Sequence, residues 1–210
     1  MPHRLVVILF LLYIILQRLP RVAGVSNFAP PLAFNELKNG DLLLFSSRSV
    51  DGGVMQAWMN QPFTHIGLYY DGAIWNCDVE SGGPCLLCNT KHEGVQLQEL
   101  SEKITAASGC VYSISVPESM RVPQLNARWM SELCQSVKFR HSLCALMHAA
   151  LPSIVPHLAC TQSELLCTEL VALTIHKYTG KYLRRQCTPL DLAREIGVKF
   201  TDLRSLTPWR

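Results

Sequence analysis

The chain has 210 residues but no Asn-x-Ser/Thr acceptor, no repeat at a fixed period and no low-complexity tract. The missing acceptor removes N-linked glycans as a sign of secretion. The missing repeat excludes a solenoid or propeller. Without a biased tract, no large part reads as a disordered linker. Charge is sparse too: Asp, Glu, Lys and Arg supply 17% of the residues, against 49% that are hydrophobic. That balance belongs to a chain that folds around a core, and the length fits a single domain.

One long apolar run stands out. Twelve residues, Leu5 to Leu16, follow Arg4 and precede Gln17 and Arg18. This matches the 7–15 residues of a secretory signal core and falls short of the ~20 that span a bilayer. Val22-Ala23-Gly24 offers small residues for cleavage. Residues 1–24 are therefore read as a signal peptide, with a retained signal anchor or a buried N-terminal helix as alternatives. This places the protein in the secretory pathway, secreted or in an endomembrane lumen. A membrane enters only through this segment. Residues 25–38 read as irregular, and 39–210 as the folded domain. Removing the leader takes away Arg4, Arg18 and Arg21 and no acid, which cancels the net charge of +3. The mature surface then has no electrostatic case for nucleic acid.

Nine cysteines behind a signal read as a mostly oxidised framework. Nine is odd, so internal pairing leaves at least one thiol over.

Asn39-Gly40 is a turn signal, followed by an apolar strand from Leu42 to Phe45. A short helix is expected from Val54 to Met59, ending before Pro62. "FTHIGLYY" and "AIWNCD" are two strands separated by Asp71-Gly72, a two-residue hairpin signal. Residues 81–94 form a polar loop with Cys85-x-x-Cys88. "GVQLQEL" and "CVYSISVP" read as strands, 122–138 and 141–150 as helices. A helix from about Leu166 to Tyr178 closes at Gly180, and Thr188 caps another that starts at Pro189. "VKFTDL" reads as a last strand. The order points to an α+β fold with a mainly antiparallel sheet.

Cys167 sits at the front of an amphipathic helix. Ser163 is its expected N-cap, or Thr161 with Glu164 its capping box. Backbone amides at the positive end of the helix stabilise a thiolate, so a depressed thiol pKa is expected. A small core cysteine or half a disulfide is the bland alternative. His65 shares a strand face with Gly67, which leaves room for another element to approach. A two-residue loop pairs Tyr70 with Ala73 and brings His65 opposite Asp78, with Asn76 diagonal to it. Either polar side chain can orient an imidazole acting as general base.

A helix-front cysteine, a strand histidine and a third polar residue resemble the site of papain-type hydrolases, with the histidine first in the chain. Gly40-Asp41 with "LLLF", the helix before Pro62, Thr64-His65-Ile66-Gly67 with "LYYDG", the next strand, Cys167-Thr168-Glu169-Leu170-Val171 and Thr188-Pro189-Leu190-Asp191-Leu192 follow in one order. Together they resemble the circularly permuted papain-like proteins of the NlpC-type clan, YiiX-like branch. The resemblance spans residues 39 to about 202. It implies a permuted papain-like domain, with Cys167 as nucleophile and His65 as general base. The family's third residue, often Glu, falls on Asn76, with Asp78 as the alternative. No metal or cofactor is implied. The substrate would be a small molecule, peptide or lipid carrying an amide or ester.

The lecithin retinol acyltransferase type shares this layout. It has a second histidine where this chain has Asn76, and Asn-Cys-Glu-His-Phe where this chain has Leu166-Cys167-Thr168-Glu169-Leu170. A lipid acyltransferase or phospholipase is therefore the second reading, and a secreted binding module without catalysis the third. Cys85-x-x-Cys88 with His92 is half of a zinc site at best, because no second cysteine pair stands at zinc-finger spacing. A disulfide is the expectation there. Glu169 is assigned no chemistry, and oligomeric state has no sequence signal.

Overall fold

The computed structural model describes residues 33–79, 82–139, 164–184 and 187–206. The expected leader, the expected helix at 141–150 and the expected caps at Thr161 and Ser163 lie outside the described residues. No helix among the described residues is long and apolar enough to cross a membrane.

The architecture is α+β, as expected. Strands β1 (Leu42–Ser46), β2 (His65–Tyr70), β3 (Ala73–Asp78), β4 (Gly94–Glu99), β5 (Cys110–Ile114) and β8 (Arg204–Ser205) make one sheet in the order β4-β3-β2-β1-β5-β8. Every pairing in it is antiparallel. Two short strands, β6 (Lys138–Phe139) and β7 (Glu164–Leu165), pair in parallel beside it. The helices are α1 (Val50–Met59), α2 (Leu100–Ala106), α3 (Ala127–Ser136), α4 (Cys167–Thr179) and α5 (Pro189–Ile196).

Side chains alternate along a strand, so one sheet face collects Leu42, Leu44, Ile66, Leu68 and Trp75. On this face lie Leu170, Val171 and Ile175 of α4 and Leu192 of α5. The opposite face gathers Leu43, Phe45, Tyr69, Ile74 and Leu100 in a smaller cluster. Burial on both faces explains the unbroken "LLLF" of β1.

The β2–β3 turn has positive φ at both central residues, 45° at Asp71 and 83° at Gly72, which matches the twist of the flanking strands. Asn39 clamps it: its Nδ2 donates to Asp71 Oδ1 and its Oδ1 accepts from the Asp71 amide, each at 2.9 Å. Tyr70 pairs with Ala73 and Leu68 with Trp75, the register expected from a two-residue loop. The space at Gly67 is not left for a separate element. A Cβ there would lie 2.7 Å from Cδ1 of Ile74 on β3, so glycine admits the neighbouring strand's own side chain.

Other elements depart from the sequence reading. Helix α1 starts four residues earlier than expected, because Ser49 Oγ accepts from the Gly52 amide at 3.0 Å and caps it. Helix α3 begins only at Ala127, where Asn126 Oδ1 accepts from the Trp129 amide. Helix α2 had no counterpart in the sequence reading. "VKFTDL" is not a strand: Phe200–Asp202 is a 3-10 turn, and the pairing falls on Arg204–Ser205.

One buried hydrogen bond locks α4 to the sheet. Trp75 Nε1 donates to Thr174 Oγ1 at 3.2 Å, and that hydroxyl donates to Leu170 O at 2.7 Å. Thr174→Val keeps the shape and strands the indole N–H. We expect a loss of about 1–3 kcal/mol in urea denaturation. A loss within error would mean that the bond contributes no net stability.

Candidate active site

Helix α4 starts at Cys167 itself, so the earlier start at Ser163 or Thr161 is corrected: Glu164 and Leu165 are already in β7. The N-terminal turn is closed from inside the helix. Glu169 reaches back, and its Oε2 accepts from the Leu166 amide at 2.8 Å. Glu169 is therefore a capping residue, half of a capping box. Cys167 at the first helical position has an amide with no acceptor earlier in the helix.

His65 opens β2, half-buried, with its ring edge against Phe45 at a centroid distance of 5.3 Å. Its Nε2 lies 3.2 Å from Asn76 Oδ1 and 3.8 Å from Asp78 Oδ2. Both expected third residues thus face the same ring nitrogen, with Asn76 nearer. The orientation of Asn76 is fixed from behind. Its Nδ2 donates to Gln98 Oε1 at 3.3 Å, and Gln98 Nε2 donates to Gly83 O at 2.9 Å. With the amide nitrogen committed, Oδ1 is left to accept from His65 Nε2–H, and Nδ1 is the nitrogen with a lone pair. Asp78 is paired with Lys103 of α2. Neither Gln98 nor Lys103 was expected at the site. The alternation of "GVQLQEL" is real, but the glutamine face is the buried one: Gln96 and Gln98 are inside, and Leu97 is half-exposed.

Cys167 and His65 line one cavity of about 400 Å3, with Phe45, Met55, Met59 and Leu166 among its apolar walls. Asp78 and Lys103 lie on the same wall, and Thr188-Pro189 of α5 borders it through Pro189. The backbone amides of Ile66, next to His65, and of Thr168 favour the thiolate form of Cys167.

The electrostatics reverse one expectation. Burial pushes the Cys167 thiol up to about 12 and outweighs the two backbone donors. The dipole-lowered thiolate expected from helix position is not the resting form. His65 is shifted below 6.5, first by burial, then by Lys103, against the pull of Asp78 and Asn76. Asp78 is held below its ordinary value by His65 and Lys103 against burial. Both shifts favour a neutral thiol beside a neutral imidazole. Two outcomes follow. Alkylation of Cys167 by iodoacetamide should keep rising with pH beyond the ~8.5 midpoint of an ordinary thiol; a plateau below that midpoint would contradict the neutral pair. Lys103→Met removes a lowering charge, so the His65 titration followed by NMR should move to higher pH, and a shift to lower pH would reverse the assigned sign.

The oxidised framework expected from the cysteine count is not seen among the described residues: Cys85, Cys88, Cys110, Cys134, Cys167 and Cys187 are thiols. The disulfide expected at Cys85-x-x-Cys88 is absent there. Cys85 Sγ lies instead 3.9 Å from Cys134 Sγ.

No family model and no curated protein matches the chain. A solved structure, the metalloprotein YiiX from Escherichia coli O157:H7, is similar over 69% of this chain and 67% of that one, with 14% identity and a TM-score of 0.38.

Proposed function

We propose that the protein is a cysteine-dependent hydrolase of amide or ester bonds, built as a permuted papain-like domain. Cys167 is the nucleophile, His65 the general base and Asn76 the residue that orients the ring. The observation that carries this reading is the 3.2 Å contact of His65 Nε2 with Asn76 Oδ1, at a histidine that lines the same cavity as Cys167. Asn76 holds Nε2, so Nδ1 is the atom that takes the thiol proton. Because the thiol rests neutral, deprotonation accompanies attack. Sulfur bonds to the carbonyl carbon, and the oxyanion forms beside the Cys167 amide. His65 returns the proton to the leaving amine or alcohol, and water, deprotonated by the same imidazole, cleaves the thioester.

A second reading is favoured by the apolar walls. Phe45, Met55, Met59 and Leu166 suit an acyl chain better than a charged peptide. In that case the carbonyl belongs to a phospholipid, and the protein is an acyltransferase or phospholipase of the lecithin retinol acyltransferase type.

The test is intact-mass analysis after exposure to p-nitrophenyl esters, peptide anilides and phosphatidylcholine vesicles. An acyl adduct mapped to Cys167 and absent in Cys167→Ala supports hydrolysis by the thiol, and the donor that forms it separates the two readings. Turnover that survives in Cys167→Ala would remove the nucleophile from the proposal.

A further inference from the structure

The loop after β3, which holds Gly83 against Gln98, carries a cluster that the hydrolase chemistry does not use. The Sγ atoms of Cys85 and Cys88 and a ring nitrogen of His92 lie within 4.8 Å of one another. Cys88 Sγ is 3.5 Å from His92 Nδ1, and Cys85 Sγ is 3.9 Å from Cys134 Sγ on α3. We propose that Cys85, Cys88, His92 and Cys134 bind one zinc ion as a closed tetrahedral Cys3His site.

The Cys88–His92 and Cys85–Cys134 distances fit that ion, while Cys134 stands outside the three donors that lie mutually within 4.8 Å and closes the set from the Cys85 side. Zn–S bonds of about 2.3 Å and Zn–N bonds of about 2.0–2.1 Å at tetrahedral angles place two sulfurs about 3.8 Å apart, and a sulfur and a nitrogen about 3.6 Å apart. The same spacing is far from the ~2.05 Å of a disulfide. The histidine is set up for ligation through Nδ1. Its Nε2 donates to Val95 O at 3.1 Å, which fixes the tautomer and turns the Nδ1 lone pair toward Cys88. Around Cys85 the chain folds as a tight turn. The Asn89 amide donates to Cys85 O at 2.8 Å and the Cys85 amide to Thr90 O at 2.9 Å, with Asn89 at φ 54°.

Three thiolates and an imidazole are a soft set that suits zinc over magnesium or calcium. Four protein donors leave no open position, so the ion is structural. Binding releases three protons from the three thiols. It would tie the loop to α3 beside β4, whose Gln96 Nε2 donates to His92 O. Gly83, which ends the relay through Gln98 to Asn76, lies on this same loop.

The test needs no substrate, so its outcome is independent of the hydrolase reading. Full-length protein purified in reductant without chelator should carry one zinc per chain by elemental analysis. Cys88→Ser, a change at an exposed side chain, should lose it. Wild-type protein stripped by a strong chelator should show a lower Tm. Stoichiometric Co2+ should then give the intense visible bands of a tetrahedral thiolate site, and Cys134→Ser should weaken them. Zinc-free protein after zinc addition, full occupancy in Cys88→Ser, cobalt bands unchanged in Cys134→Ser, or a Cys85–Cys134 disulfide in protein handled without reductant and with zinc would each overturn the assignment.

Discussion

Hydrolysis of a p-nitrophenyl ester should fall about 10²–10⁴-fold in His65→Ala, the range lost when a positioned general base is removed. The fall should appear in kcat, because the imidazole acts on the thiol proton and contributes little to holding substrate. The acid limb of the wild-type profile should lie below pH 6.5, since burial and Lys103 lower the His65 pKa. In His65→Ala that limb should vanish. Asn76→Ala should give a smaller loss and an altered acid limb, because the ring loses its orienting acceptor but remains a base. Equal rates for His65→Ala and wild type would end the general-base role, whatever Cys167 does.

The second large effect concerns stability. Asp41 is buried, with Oδ1 2.9 Å from Arg121 Nη1 and Oδ2 accepting from the Lys38 amide at 2.9 Å. Arg121 also donates to Val116 O and Asn39 O. The pair therefore joins the turn before β1 to the segment after β5. Asp41→Ala leaves the mostly buried guanidinium with only the exposed Glu118 carboxylate, 3.2 Å from its Nε, and we expect a loss of about 3–5 kcal/mol in equilibrium urea unfolding. That is a large share of the ~5–15 kcal/mol of a typical domain. Asp41→Asn keeps an acceptor and should lose less. The double variant Asp41→Leu with Arg121→Met should recover part of the loss, since no charge is left buried. A single-variant loss under about 1 kcal/mol would mean that solvent reaches Arg121 freely.

These residues show where the sequence was informative. The β2–β3 hairpin was legible because Asp71-Gly72 fixes both turn and register, and register alone set Asn76 and Asp78 beside His65. Cys167 was legible as a helix-front residue, but its ionisation was not. The dipole is a local property that sequence displays, whereas burial depends on what packs around the sulfur. Gln98 was illegible for a related reason. A polar residue alternating with apolar ones reads as a solvent face, and only the tertiary structure turns it inward. The "GD" of Gly40-Asp41 had no stated role until Arg121 appeared beside it. Cys134 lies 46 positions after Cys88, too far for spacing to signal a shared site.

The order of the site along the chain has a consequence for synthesis. His65 and Asn76 come from one hairpin, so the proposed base and its orienting partner can form from local contacts soon after they leave the ribosome. Cys167 follows 102 residues after His65. At ~5–20 residues per second, about 5–20 s separate the two. On the proposed reading, a nascent chain stalled anywhere in that interval carries the base and no nucleophile, so the protein would emerge inert until its last fifth is made.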